Sequence, residues 1–287
     1  MPTTTTNKEI NSAKADMSHI YGHPDPRNYF RELQKVDYRI PELAKPVFTT
    51  LIQHLEERKN APVHALDVGC SYGVNAALLK HDLKMDDLYA RWTDPALDAA
   101  TPEQMTDADR RFFSALPVAN SAAIYGLDPS SPAISYGENT GLLDRGMAVN
   151  LEEDELSDVA ADTLAPVDLV MSTGCVGYVT EISFAKMIPA FAEGRLPWMA
   201  NFVLRMFPFD PIVNELGKHG YVTEKLEGEQ FIQRAFASAE EQEGVLDKLK
   251  AQGLDSSGES EGNLIAEFYL SRPAQDATVP LRELATT

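Results

Sequence analysis

Cysteine is scarce: Cys70 and Cys175 are the two in the chain, and they supply neither a disulfide framework nor a Cys/His metal spacing. The six histidines, at 19, 23, 54, 64, 81 and 219, are scattered, so no metal site is expected. Positive charge is also short, with 25 Lys and Arg against 44 Asp and Glu and a formal net charge of −19. The Lys/Arg clusters that follow a nucleic-acid backbone or an anionic membrane are missing, which excludes both as main partners and leaves a small-molecule substrate. No run is long and apolar enough to span a bilayer, and the N-terminus lacks the basic-then-apolar pattern of a secretory signal. A cytoplasmic location is therefore expected. The sequence carries no signal for oligomeric state.

What is present is enough chain, 287 residues, to bury one large core with embellishments. Residues 1–16, rich in Thr, Asn, Lys and Ala with no apolar face, are expected to form a disordered or mobile tail. Residues 17–60 predict N-terminal helices. Asp25-Pro26 opens the first as a cap and first-turn proline, continuing through Tyr29, Phe30, Leu33 and Val36. A second begins at Pro41 or Pro46 and runs through Phe48, Leu51 and Leu55 to the charged stop Glu56–Asn60. Preceding the first strand, these helices can flank a sheet or fold as a lid over its ligand edge, where Tyr21, Tyr29, Phe30 and Tyr38 would be useful. Residues 61–287 read as a single domain with a helical insertion over 81–120, whose best-signalled helix starts at Thr101-Pro102-Glu103.

Strands are predicted at Val63–Val68, Ala122–Leu127, Met147–Leu151, Val167–Met171, Asn201–Phe207, Phe231–Ala237 and Leu264–Leu270. Helices lie between most of them, which gives an α/β fold with seven strands in a mainly parallel sheet. In such a sheet every parallel strand points its carboxyl end to one edge, where ligands bind. Four strand ends carry suitable chemistry. Ala65-Leu66-Asp67-Val68-Gly69-Cys70-Ser71-Tyr72-Gly73 breaks from a strand into a Gly-punctuated turn that opens a helix. Asp128 ends the second strand with a carboxylate suited to a ribose diol. Asn150 and Leu151 offer an amide and an apolar contact to an adenine. Ser172-Thr173-Gly174-Cys175 is a loop of small residues leading to Tyr178.

This succession resembles the class I S-adenosylmethionine-dependent methyltransferases over roughly residues 62–272. The resemblance implies a Rossmann-like seven-stranded sheet with helices on both faces and S-adenosylmethionine as cofactor. It implies that Asp67, Gly69, Cys70, Ser71 and Gly73, with Asn75 in the helix they open, hold the methionine part. Asp128 would take the ribose, Asn150 and Leu151 the adenine, and Ser172, Thr173 and Gly174 the floor beside the sulfonium. Two departures stand out. Ser71 occupies a position where glycine is common, and Asp128 lies 55 residues past Gly73 (128 − 73), far beyond a simple strand-helix-strand step. A nicotinamide site would want glycines at 71 and 74, where this chain has Ser71 and Val74.

Alignment of a nucleophile with an already activated methyl group supplies on the order of 7–11 kcal/mol, so neither metal nor covalent nucleophile is required. Tyr178 and Asn139 are the expected catalytic residues, as hydrogen-bond acceptors for the nucleophile's proton, with Glu138 beside them. Their ordinary alternatives are loop packing for Tyr178 and turn chemistry for Asn139. Cys70 and Cys175 read as small packing residues, and Arg205 as a partner either of a substrate carboxylate or of a structural acid such as Asp210. The expected activity is methyl transfer to an O or N of a small-molecule acceptor. The alternatives are a cyclase of the same fold that makes azetidine-2-carboxylate and methylthioadenosine, and a non-catalytic S-adenosylmethionine-binding protein.

Overall fold

The computed structural model describes residues 20–192 and 194–285, so the tail expected over 1–16 lies outside the described residues. Eight strands form one sheet: β1 (His64–Val68), β2 (Ala123–Asp128), β3 (Arg145–Ala148), β4 (Leu169–Thr173), β5 (Trp198–Leu204), β6 (Tyr221–Lys225), β7 (Phe231–Ala235) and β8 (Asn263–Pro273). Their order is β3-β2-β1-β4-β5-β8-β6, with β7 also pairing β8. The first five strands run parallel, and β8 runs antiparallel to β5, β6 and β7. Every residue of β5 is buried, as expected of a strand covered on both faces.

Three differences from the predicted strands matter. β6 is an additional strand; only Tyr221 of its five residues is buried, so it shows none of the alternation that marks a half-buried strand. β3 ends at Ala148, which puts Asn150 and Leu151 in the following turn. β5 starts at Trp198 instead of Asn201, leaving Arg205 just beyond its end.

Among the described residues, α1 (Arg27–Gln34) and α2 (Ile40–Lys59) precede the sheet; α3 (Val74–His81) follows β1. The insertion contributes α4 (Met85–Trp92) and α5 (Pro102–Ala115), and α6 (Ser131–Thr140) follows β2. α2 buries Val47, Phe48, Leu51, Ile52 and Leu55, with Phe48 edge-on to Phe202 of β5, so it flanks the sheet. The chain before α1 is held by the Asp25 carboxylate, which accepts the Arg27 backbone N–H at 3.1 Å and its guanidinium at 2.8 Å. α1 itself lies across the ligand edge, with Tyr29, Phe30 and Leu33 buried.

Between β1 and β2 the insertion lengthens the crossover without separating the strands, which pair along their whole length from His64/Ala123 to Val68/Leu127. That explains the long step to Asp128. The insertion contributes no residue to the main cavity; it backs α1, with Trp92 against Phe30 at 4.4 Å between ring centroids. Asp109 of α5, fully buried, anchors it by accepting hydrogen bonds from Arg91 Nε (2.6 Å), Trp92 Nε1 (3.0 Å) and Tyr136 Oη of α6 (2.6 Å).

Candidate functional site

A cavity of about 400 Å³ opens at the carboxyl ends of β1, β2, β3 and β4, under a wall made by the chain before and after α1. The loop after β1 shapes one side. Gly69 has φ +72°, and a Cβ there would come within 2.7 Å of Cys175 Cβ, so both the torsion and the close approach demand glycine. Its N–H donates to Leu127 O at 2.8 Å, tying the loop to β2. Ser71 also adopts the left-handed region, φ +49°, which accounts for glycine being common at such a position. Here the Ser71 N–H donates to Asp128 Oδ2 at 2.9 Å, while Asp128 Oδ1 accepts from Ser130 N at 2.9 Å. The loop amides therefore fix the Asp128 carboxylate at the cavity. Burial raises its pKa, and the two amides oppose that. Ser71 Oγ is buried with no hydrogen-bond partner.

Beyond Asp128, Val149, Asn150 and Leu151 form an apolar slot with one amide, shaped by the Asn150 Oδ1 bond from Glu152 N at 3.2 Å. Thr173 and Gly174, at the end of the neighbouring β4, continue the lining with Cys175, which packs against Gly69. Cys70 and Cys175 are both pushed up by burial, Cys175 to about 12, so neither thiol is a nucleophile at neutral pH.

Of the residues singled out in the sequence, Gly69, Ser71, Asp128, Asn150, Leu151, Thr173, Gly174 and Tyr178 line the cavity. Asp67, Cys70, Gly73, Asn75 and Ser172 stand behind it. Asn75 Nδ2 donates both to Asp67 Oδ1 (3.0 Å) and to Thr173 Oγ1 (3.1 Å), so Asp67 acts on the cavity through Asn75 and Thr173. Ser172 Oγ donates to Asn201 Oδ1 at 2.8 Å beneath the floor. Gly73 caps α3 with φ +82°.

Asn139 is not brought to the site. The segment after β2 is a helix rather than a turn: α6 starts at the ligand edge and runs away from it, leaving Asn139 exposed in its last turn. Gly137, two residues before Asn139, is there for packing, since a Cβ would meet Leu143 Cδ1 at 2.6 Å. Glu138 accepts the Gly146 N–H at 2.8 Å and ties α6 to β3. Arg205 takes the structural role, though not with Asp210: it donates to Glu259 at 2.7 Å and lies 3.4 Å from Glu267. Tyr178 sits at the cavity mouth, 55% exposed.

The wall is aromatic. Tyr21, Tyr29, Leu33 and Tyr38 line it, with the Tyr38 hydroxyl beside Thr173. Tyr72 Oη donates to His23 O at 2.9 Å and Tyr89 Oη to Tyr38 O at 2.6 Å, pinning the wall from two sides. Burial pushes the Tyr29 and Tyr38 phenols well above their usual range, so both stay protonated and serve as donors.

Sequence reasoning missed Glu152, Gln233 and Arg234, which also line the cavity. The Glu152 carboxylate accepts from Thr180 N, Thr180 Oγ1 and Ser183 Oγ at 2.6–2.8 Å, holding the helix Glu181–Met187 at the mouth. Gln233 and Arg234 come from β7, where two consecutive polar residues inside an apolar run were the available signal.

Asp67 gives a pH signature. Burial, with Asp128 nearby and Asn75 opposing, raises its pKa to about 7, against roughly 3.9 in an unfolded chain. Between those values the native state holds a proton that the unfolded state has released, so stability falls as pH rises, and this contribution is gone above about pH 7. Asp67→Asn, a neutral isostere, is expected to remove that fall. Scanning calorimetry of the ligand-free protein from pH 5 to 8 checks this, and parallel melting curves for the two forms would contradict it.

Among the described residues no group of three or more His, Cys, Asp or Glu can hold a metal ion, and no helix is long and apolar enough to cross a membrane. No protein-family model and no curated protein matches the sequence. Among solved structures, the plantazolicin methyltransferase BpumL in complex with a desmethylPZN analogue and SAH is similar at 13% identity, covering 93% of this chain and 98% of that one, with a TM-score of 0.45. The magnesium protoporphyrin IX methyltransferase of Synechocystis with bound SAM is 10% identical over 95% and 99% of the two chains, TM-score 0.39. A TehB-like SAM-dependent methyltransferase of Corynebacterium glutamicum is 13% identical over 74% and 83%, TM-score 0.36. The fold is assigned by the sheet itself. Five parallel strands in the order 3-2-1-4-5, with the reversed β8 beside β5 and a glycine-bounded loop after β1, make a Rossmann-like, mainly parallel α/β sheet, the architecture that the resemblance to the class I S-adenosylmethionine-dependent methyltransferases implies.

Proposed function

We propose that the cavity binds S-adenosylmethionine and that the protein transfers its methyl group to an O or N of a small-molecule acceptor. The observation that carries this is the Asp128 carboxylate, fixed by Ser71 and Ser130 amides at the end of the strand next to the β1 loop. That carboxylate suits a ribose diol, and the slot at Asn150 and Leu151 suits an adenine. Gly69, Thr173 and Gly174 line the part of the cavity left for the methionine arm. When bound, S-adenosylmethionine supplies a methyl group already activated on a sulfonium.

The chain's own residues then orient, exclude water and manage a proton. Tyr29 and Tyr38 line the cavity with phenols that burial keeps protonated. The chain around α1, with Tyr21, Tyr29, Leu33 and Tyr38, serves as the wall, backed by the 81–120 insertion, while α2 flanks the sheet. Tyr178 at the mouth is the residue suited to orienting an acceptor. A dry, aligned site is sufficient for this chemistry.

Calorimetry with S-adenosylmethionine and S-adenosylhomocysteine tests the cofactor: both are expected to bind the folded protein, and absence of heat with either would sink the proposal. Closure of the cofactor's own amine to azetidine-2-carboxylate is the alternative that the sequence left open. At about 400 Å³ the cavity lies near the small end of ligand sites and suits a single bound molecule. Incubation with S-adenosylmethionine and no acceptor separates the two. Methyl transfer predicts no turnover there, and release of methylthioadenosine would overturn it in favour of ring closure.

A further inference from the structure

β7 carries an irregularity that the fold does not need. Ile232 pairs with Ile265 and Arg234 with Leu264, so Gln233 is an extra residue with no partner on β8, a β-bulge. Bulges re-aim side chains, and this one turns both Gln233 and Arg234 inward, where both line the cavity and both are buried. Their situations differ. Arg234 is held by Glu241, with NH1 and NH2 donating to the two carboxylate oxygens at 2.9 and 2.6 Å. Gln233, 6% exposed, has an Oε1 that is buried without any hydrogen-bond partner. Native proteins seldom leave such an acceptor unmet unless a ligand or water completes it.

The position of that oxygen narrows what completes it. The Gln233 amide packs on Gly174, where a Cβ would come within 2.4 Å of Nε2, so glycine at the end of β4 makes the room the amide occupies. The Gln233 backbone carbonyl accepts from Arg39 N at 2.9 Å, which fixes the bulge against the N-terminal wall next to Tyr38. Asp128 and the Asn150/Leu151 slot lie beyond β1, at the β2 and β3 ends of the sheet, so ribose hydroxyls and the adenine amine are not at Gln233. What reaches Gly174, beside the Gly69–Ser71 loop, is the amino-acid arm. Its donor is the α-ammonium. The acids that line the cavity, Asp128 and Glu152, favour a cation there, whereas the charge of Arg234 is countered by Glu241.

We propose that Gln233 is a specificity-determining residue whose Oε1 accepts a hydrogen bond from the α-ammonium of the S-adenosylmethionine arm, and that the β7 bulge exists to deliver it. This rests on the cofactor assignment above. It adds a contact from the far end of the sheet to those made by the β1 loop.

The test is calorimetry of wild type, Gln233→Leu and Gln233→Glu with S-adenosylhomocysteine and with its analogue lacking the amino group. A hydrogen bond to a charged group predicts that wild type prefers the amine-bearing ligand by roughly 10- to 100-fold. In Gln233→Leu this preference shrinks by about tenfold, while affinity for the deamino analogue changes little. Gln233→Glu keeps an acceptor and keeps or sharpens the preference. A wild-type preference surviving in Gln233→Leu overturns the assignment, as does its loss in Gln233→Glu. Failure of folded wild type to bind either ligand overturns the cofactor assignment itself, a distinct result.

Discussion

Asp109→Ala is expected to lower stability by about 3–5 kcal/mol, the range for breaking a buried ionic contact by removing one partner. The melting temperature should fall by roughly 10 °C for a chain of this size. Asp109 is the common acceptor for Arg91, Trp92 and Tyr136, so its removal strands one guanidinium, one indole N–H and one phenol at once. Asp109→Asn is expected to fall between, because its amide presents N–H to donors. The effect extends beyond stability. Trp92 and Tyr89 pack on Phe30, one residue from Tyr29 in the cavity wall, so loosening α4 also weakens ligand binding. Differential scanning calorimetry beside titration with S-adenosylhomocysteine reads both effects, and a melting temperature within about 2 °C of wild type would remove Asp109 from this role.

Asp128→Ala is expected to weaken S-adenosylhomocysteine binding by at least about 100-fold, equivalent to roughly 2.7 kcal/mol. Two contributions combine. The ribose loses charge-assisted hydrogen bonds, and the Ser71 and Ser130 amides lose the acceptor that holds the loop. Asp128→Asn keeps the shape but turns an N–H toward one of those amides, so a loss of about tenfold is expected. Circular dichroism separates binding loss from unfolding. A folded Asp128→Ala protein with wild-type affinity would refute the ribose assignment.

The β1 loop and Asp128 were legible in the sequence because their signals are local: a strand, two glycines and an acid at the next strand's end. Asp67, Asn75 and Ser172 were legible as residues but not as a layer behind the cavity, since which side of a loop faces the ligand depends on packing. Asn139 misled because Gly137 looks like a turn former, whereas its role is to make room for Leu143 across the helix. β6 was hidden by its exposure. Gln233 needed the bulge, and a bulge is a relation between two strands that neither strand's sequence states alone.

The wall joins parts of the chain made at different times. Val36 O accepts from Ala235 N at 2.7 Å, and Arg39 N donates to Gln233 O, so the segment flanking α1 is held by a strand from near the other end of the chain. On a ribosome, where folding proceeds from the N-terminus, the β1 loop, Asp128 and the β4 floor can assemble while the wall still has nothing to grip. A nascent chain stopped before β7 holds an open groove. The N-terminal wall takes its final position only once β7 has been made and has paired with it.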